Sequence, residues 1–251
     1  MTDAPRLKAE PQWLSLVDAA GTWFETPHGQ QLLGQERRLL QVELERCFGS
    51  YLVHYAPFAE NALESSSIRH CVRLGAPLKG ADIICDEQSW PLGEYAADVV
   101  VVQHGLDFSL SPHALLREAA FSVRPGGHLL VLGMNPWSAW GARRLVAAGG
   151  FRQARCIRPT RVADWLSLLG FGLEKRLFGC YCPPLSSARW QARLTPLENL
   201  GQRYQVPFGG FYLLLARKLT AGMRPLRQDR REPRGQLLPM PVAKVSRRSA
   251  E

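Results

Sequence analysis

The chain has 251 residues, of which 46% are apolar and 21% charged, and its net charge is +9. That balance suits a soluble globular protein with one sizeable core. No apolar run approaches the ~18 residues needed to span a bilayer, and the opening MTDAPRLKAEPQW lacks the apolar stretch of a signal peptide, so a cytoplasmic protein is expected.

Residues 1–10 read as a loose end and 13–24 as a mixed apolar segment. Thr26-Pro27 predicts a helix start, with Thr as N-cap and Pro at the first helical position. Leu32, Leu33, Leu39, Leu40, Leu44 and Phe48 then recur on one helical face, and Gly49 is expected to stop the helix. The stretch YLVHYAPFAEN, residues 51–61, predicts a short strand ending at Pro57, with no glycine after it. Residues 68–74 predict a second strand, and 81–85 a third, very short one.

Residues 98–102, DVVVV, are the clearest strand. A continuous β-branched run suits a strand buried on both faces of a parallel sheet. Ser111-Pro112 predicts the next helix start, Ser capping, with Leu115, Leu116, Ala119, Ala120 and Val123 along one side. Arg124-Pro125-Gly126-Gly127 reads as a tight turn into a strand at 128–132. Strand, helix, turn, strand is a βαβ unit, which predicts an open, mostly parallel sheet. A helix at 161–169 and strands at 173–181 and 211–216 follow. The last two are expected to form an antiparallel hairpin joined by a loop.

From Arg224 onward eight Lys or Arg face three acidic residues, so the tail carries +5 of the net +9. Four prolines and few large apolar residues predict disorder there. Such a tail offers a weak case for nucleic-acid contact, against the blander role of a solubilising end. The six cysteines form no CxxC pair. Cys180-Tyr181-Cys182 has no second ligand pair, so no metal site is expected and the thiols read as reduced core residues.

Four segments in order carry a family resemblance: CDEQSWPL (85–92), ADVVVVQHGLDF (97–108), LLREAAFSVRPGGHLLVLG (115–133) and WLSLLGFGLEKRLF (165–178). Together they resemble the class I S-adenosylmethionine-dependent methyltransferases of the type-11 kind. The resemblance implies an open, mostly parallel seven-stranded Rossmann-like sheet, with helices on both faces and a C-terminal antiparallel hairpin. It divides the chain into an N-terminal helical segment (1–48), the methyltransferase-like α/β domain (49–220) and the basic tail (221–251). The cofactor would lie across the carboxyl ends of the first strands.

By that resemblance Tyr55 and Pro57 border the cofactor at the first strand and turn. Asp86 accepts from the adenine amine, with Glu87 adjoining. Gln103 and His104 sit where cofactor and reaction centre meet. His104 is the candidate general base, weighed against a hydrogen-bonded histidine that only shapes the pocket. Glu87 by itself reads as a solvated side chain.

The first motif is degenerate. Its turn is APFAEN, with Pro57 and Phe58 where the family has glycines, and RLGAP (73–77) lacks the carboxylate that would hold the ribose. Asn135-Pro136-Trp137 is reminiscent of the motif of amino-methylating DNA enzymes, but it follows the fifth strand instead of the fourth, so base methylation is not assigned. The function expected is methyl transfer from S-adenosylmethionine to a small-molecule acceptor. The alternative is a non-catalytic binding or scaffold protein on the same fold that has lost cofactor binding.

Overall fold

Four valines in a row, Val99 to Val102, have no exposed surface, because both faces of the strand that holds them are covered. That strand is β4 (Ala97–Gln103), the centre of a seven-stranded sheet in a computed structural model that describes residues 10–58, 63, 67–77, 80–144, 150–184 and 188–220. The other strands are β1 (Gly49–Tyr55), β2 (Ile68–Gly75), β3 (Ile83–Ile84), β5 (Val123–Met134), β6 (Phe171–Gly179) and β7 (Phe211–Lys218). Their order is β3-β2-β1-β4-β5-β7-β6. β3, β2, β1, β4 and β5 run parallel; β7 is antiparallel to both β5 and β6.

The helices are α1 (Pro11–Phe24), α2 (Pro27–Leu44), α3 (Pro112–Ser122), α4 (Ala139–Arg143), α5 (Pro159–Leu168) and α6 (Ala188–Tyr204). Side chains alternate across a strand, and the valines of β4 divide accordingly. Val100 and Val102 pack with Leu115 and Leu116 of α3 and Val162 and Leu166 of α5. Val99 and Val101 pack with Leu40 and Leu44 of α2. A third apolar cluster joins α1 and α2 to residues that follow β1, β4 and β5, including Phe24, Leu32, Phe58, Phe108 and Trp140.

Local chemistry explains where the elements begin. The Thr26 hydroxyl accepts from Gly29 N at 3.2 Å, and Pro27 takes the first position of α2. The turn expected at 124–127 is instead an irregularity inside β5, where Gly126 has φ +80° and the pairing with β4 shifts between Val123 and His128.

Several expectations are corrected. Residues 11–24 form a full helix. α2 ends at Leu44, before Gly49, and Phe48 is 72% exposed. Gly49 instead opens β1, where an added Cβ would run into the Asp98 side chain. That carboxylate needs the space, because its Oδ2 accepts from Ser50 N and Tyr51 N. The third strand shrinks to two residues. β6 and β7 pair antiparallel as expected, but α6 stands between them in the chain in place of a bare loop. Ser111 makes no side-chain cap on α3.

All described residues fall within one compact unit, Met1–Ala221. The basic tail, and with it the expected disorder of 221–251, lies outside the described residues. Among the described residues no helix is long and apolar enough to cross a membrane. Five of the six cysteines are buried and all six are free.

Candidate functional site

Strand order reverses between β1 and β4, where β1 continues towards β2 and β4 towards β5. Open α/β sheets bind ligands at the carboxyl ends of the strands flanking such a reversal. At that edge β4 ends in Gln103, and His104 follows with a left-handed φ of 52°. A non-glycine residue there stores about 1–3 kcal/mol of backbone strain, tolerated where surrounding bonds fix it.

Those bonds form one buried chain. His104 Nε2 lies 2.7 Å from Glu36 Oε1 of α2, and Nδ1 lies 2.9 Å from Asp107 Oδ2. Gln103 Nε2 donates to the other Glu36 oxygen at 2.8 Å. Gln103 Oε1 then faces His54 Nε2 at 3.0 Å. Asp107 Oδ2 also accepts from Met134 N, at the end of β5, at 2.8 Å. The network ties α2, β1, β4 and β5 together, and His54, Glu36, Gln103, His104 and Asp107 are all buried.

Protonation follows from the partners. Because Gln103 gives its amide N–H to Glu36, its oxygen faces His54, which must donate from Nε2. His54 is therefore a neutral Nε2–H tautomer. Burial first, then the Arg73 guanidinium, push its pKa down to about 3. Its Nδ1 is buried with no partner among the described residues. His104 is the opposite case. Burial alone would lower its pKa, but the Glu36 and Asp107 carboxylates outweigh that and raise it to about 10. At neutral pH it is an imidazolium donating both N–H groups. Asp107 Oδ1 is buried and, among the described residues, has no hydrogen-bond partner.

Aromatic rings close over this cluster. The Phe24 ring lies 5.0 Å from His104 and 4.2 Å from Phe58. Phe58 is 1% exposed, and its carbonyl accepts from the Arg73 guanidinium, itself buried near the end of β2. The turn that lacks the family's glycines thus carries an anchored ring. Residues 59–62 of that turn lie outside the described set.

The other predicted residues lie apart from the network. Tyr55 is buried and stacks on Trp90, centroids 5.4 Å apart. Pro57 is buried beside Phe58. Asp86 is partly exposed just past β3; its Oδ1 accepts from Gln88 N at 3.1 Å. Glu87 is not the solvated side chain that its sequence context suggested. It is buried and accepts from Leu110 N and Ser111 N, the latter at 3.0 Å, and so holds the backbone that leads into α3. Burial raises its pKa, while its Ser109, Ser111 and Leu110 partners oppose the shift. Asn135 donates to the carbonyls of Pro207 and Gly209, which staples the end of β5 to the segment before β7.

The sequence did not single out Glu36, His54 or Asp107. Glu36 carried a readable signal: it sits three and four residues from Leu33, Leu32 and Leu40, on the apolar stripe of α2. A carboxylate on a buried stripe needs a partner inside.

No family model matches the chain. It is 27% identical over 225 residues to the uncharacterized protein YafS of Escherichia coli (strain K12), covering 87% of this chain and 90% of that one. Among solved structures, it superposes with a TM-score of 0.55 on a chain from the complex of the Haloferax volcanii Trm112 methyltransferase activator with its proposed methyltransferase, at 14% identity, covering 84% of this chain and 100% of that one. A SAM-dependent methyltransferase from Thermotoga maritima gives the same TM-score of 0.55 and 14% identity, covering 82% of this chain and 99% of that one. The chain has the class I SAM-dependent methyltransferase fold, as its four sequence segments implied.

Proposed function

We propose that the protein is an S-adenosylmethionine-dependent methyltransferase of the cytoplasm, acting on a small-molecule acceptor. The observation that carries this reading is the acidic cluster at the strand-order reversal. Two carboxylates surround one imidazolium, and Asp107 Oδ1 is buried without a hydrogen-bond partner among the described residues. An uncompensated buried carboxylate oxygen favours a cation nearby, and the cofactor of this fold carries a sulfonium. The residues present fit it in charge at that edge. They also fit it at the adenine end, where Asp86 Oδ1 accepts from Gln88 N and its other oxygen has no hydrogen bond among the described residues.

In this reading Asp86 accepts from the adenine amine, with Glu87 fixing the neighbouring turn. Tyr55 and Pro57 wall the site, and Gln103 and His104 hold Glu36 and Asp107 in place. When bound, the cofactor supplies a methyl group already activated on sulfur. His104 has no lone pair to take a substrate proton while both ring nitrogens donate. Its proposed role is therefore to orient charge, and positioning supplies the rate.

Two observations favour the second reading, a non-catalytic relative that has lost cofactor binding. Phe58 is packed where the family has open backbone, and Arg73 stands near the end of β2, where a ribose carboxylate would be. Calorimetric titration with S-adenosylhomocysteine separates the two. The enzyme reading predicts saturable binding that Asp86→Ala weakens by about 1–3 kcal/mol. Absence of heat at millimolar ligand leaves the non-catalytic reading standing.

A further inference from the structure

We propose that the protein binds an amphipathic anion, a molecule with an apolar body and a phosphate or carboxylate head. The body would lie in a cavity walled by α6 and the β5–α4 connection, and the head on arginines around the start of α5. This deepens the methyltransferase reading by naming a class of acceptor, and it rests on that reading only for the chemistry performed there.

The first cavity is about 440 Å³, within the range of small-molecule sites. Trp140 and Cys180 form its floor; both belong to the apolar cluster of Phe24 and Phe58 that lies against His104. Its walls leave large apolar side chains in water: Trp137 is 60% exposed, Leu200 55%, and Tyr204 and Phe208 more than that. Scattered exposed apolar residues need no explanation, but a set converging on one cavity marks a binding surface. The backbone is strained on both sides, with left-handed φ at Cys180 and Gln205.

The second cavity is about 600 Å³ and of opposite character. Arg155, Arg158 and Arg161 line it, with Thr160 and His113, against one carboxylate, Asp164. His113 and Arg161 both pack on the Trp165 ring, at 3.7 Å and 5.4 Å. The first residues of α3 and α5 face this cavity, and neither helix has a side-chain cap. Guanidinium groups bind carboxylate and phosphate through paired, charge-assisted hydrogen bonds, and free helix N–H groups add to that attraction.

Arg158 joins the two cavities. It lines the second, and its guanidinium lies 5.0 Å from the ring of Trp137, which lines the first. A single molecule with an apolar end and an acidic end satisfies both. A purely apolar ligand leaves the arginines unused, and a bare anion leaves the exposed rings in water.

The test is calorimetry on the full chain without cofactor, so its outcome is independent of S-adenosylmethionine binding. The probes are monomeric dodecyl phosphate, dodecanol, inorganic phosphate and phosphatidylglycerol vesicles. Dodecyl phosphate is expected to bind at least about tenfold more tightly than dodecanol or phosphate, since ~1.4 kcal/mol of head-group attraction gives that factor. The double variant Arg158→Ala/Arg161→Ala, both sites exposed, should erase the preference over dodecanol. Leu200→Glu should weaken both chains. Equal binding of dodecyl phosphate and dodecanol, or no binding of either, overturns the proposal. So does vesicle binding that exceeds monomer binding and ignores Leu200→Glu, which would indicate a membrane surface.

Discussion

Glu36 and His104 stand 68 residues apart in the chain and 2.7 Å apart in the fold, both wholly buried. This contact fastens α2 across the carboxyl end of β4. It also decides the state of the histidine, because a buried imidazolium persists only beside carboxylates. α2 is therefore part of the site's electrostatics.

Removing Glu36 breaks a buried ion pair and leaves His104 Nε2–H and the Gln103 amide without their acceptor, with Asp107 as the remaining carboxylate on His104. Glu36→Ala is expected to destabilise the protein by about 3–5 kcal/mol, read as a lower urea midpoint at unchanged slope. Glu36→Gln, which keeps the shape and an oxygen acceptor, should cost less. A loss within ~0.5 kcal/mol for Glu36→Ala, typical of surface substitutions, would mean that the pair does not hold the fold.

The two buried histidines give stability a maximum in pH. His104 has a folded pKa of about 10, above the ordinary 6.5. Its contribution is complete below pH 6.5 and is lost as pH rises towards 10. His54 has a folded pKa of about 3. Its contribution is complete above pH 6.5 and is lost as pH falls towards 3. Each arm can slope by at most about 1.4 kcal/mol per pH unit for one proton. Urea unfolding across pH 4–10 should peak near 6.5. His104→Gln should flatten the alkaline arm and leave the acid arm. A profile that keeps rising to pH 9 contradicts the assignment of His104.

The sheet was legible because its chemistry is local. DVVVV reads as a doubly buried strand and HLLVL as another, although the RPGG read as a turn lies inside β5. The two-residue β3 left a weaker trace, and α6 left almost none. With Pro196 inside it and Leu197, Leu200 and Tyr204 facing water, α6 has no clean apolar stripe to read. The site was half legible. Gln103 and His104 were found by their place after β4, whereas Glu36 and Asp107 matter only through long-range contact. Glu87 was misjudged for the same reason, since its partners lie 23 and 24 residues away.

Phe58 carries a measurable share of the fold. Its ring packs on Phe24 at 4.2 Å with 1% exposure. Phe58→Ala is expected to cost about 3–5 kcal/mol through lost burial and the cavity left behind, measured by urea denaturation. A cost under ~1 kcal/mol would mean that the ring is not part of the core.

Glu87 is expected to act on folding ahead of chemistry. Glu87→Ala takes the acceptor from the Leu110 amide and leaves the Ser111 amide with Ser109 Oγ alone, at about 1–3 kcal/mol. Hydrogen exchange should show faster opening at the start of α3. Unchanged protection there would contradict its role as the anchor of that turn.

The central claim is that this edge of the sheet holds a sulfonium cofactor. A crystal structure grown with S-adenosylhomocysteine tests it most directly. The account predicts density over the carboxyl ends of β1 and β4, with the adenine amine within hydrogen-bond distance of Asp86. Crystals soaked at millimolar ligand that show the Phe24–Phe58–His104 cluster closed and no ligand density would contradict it.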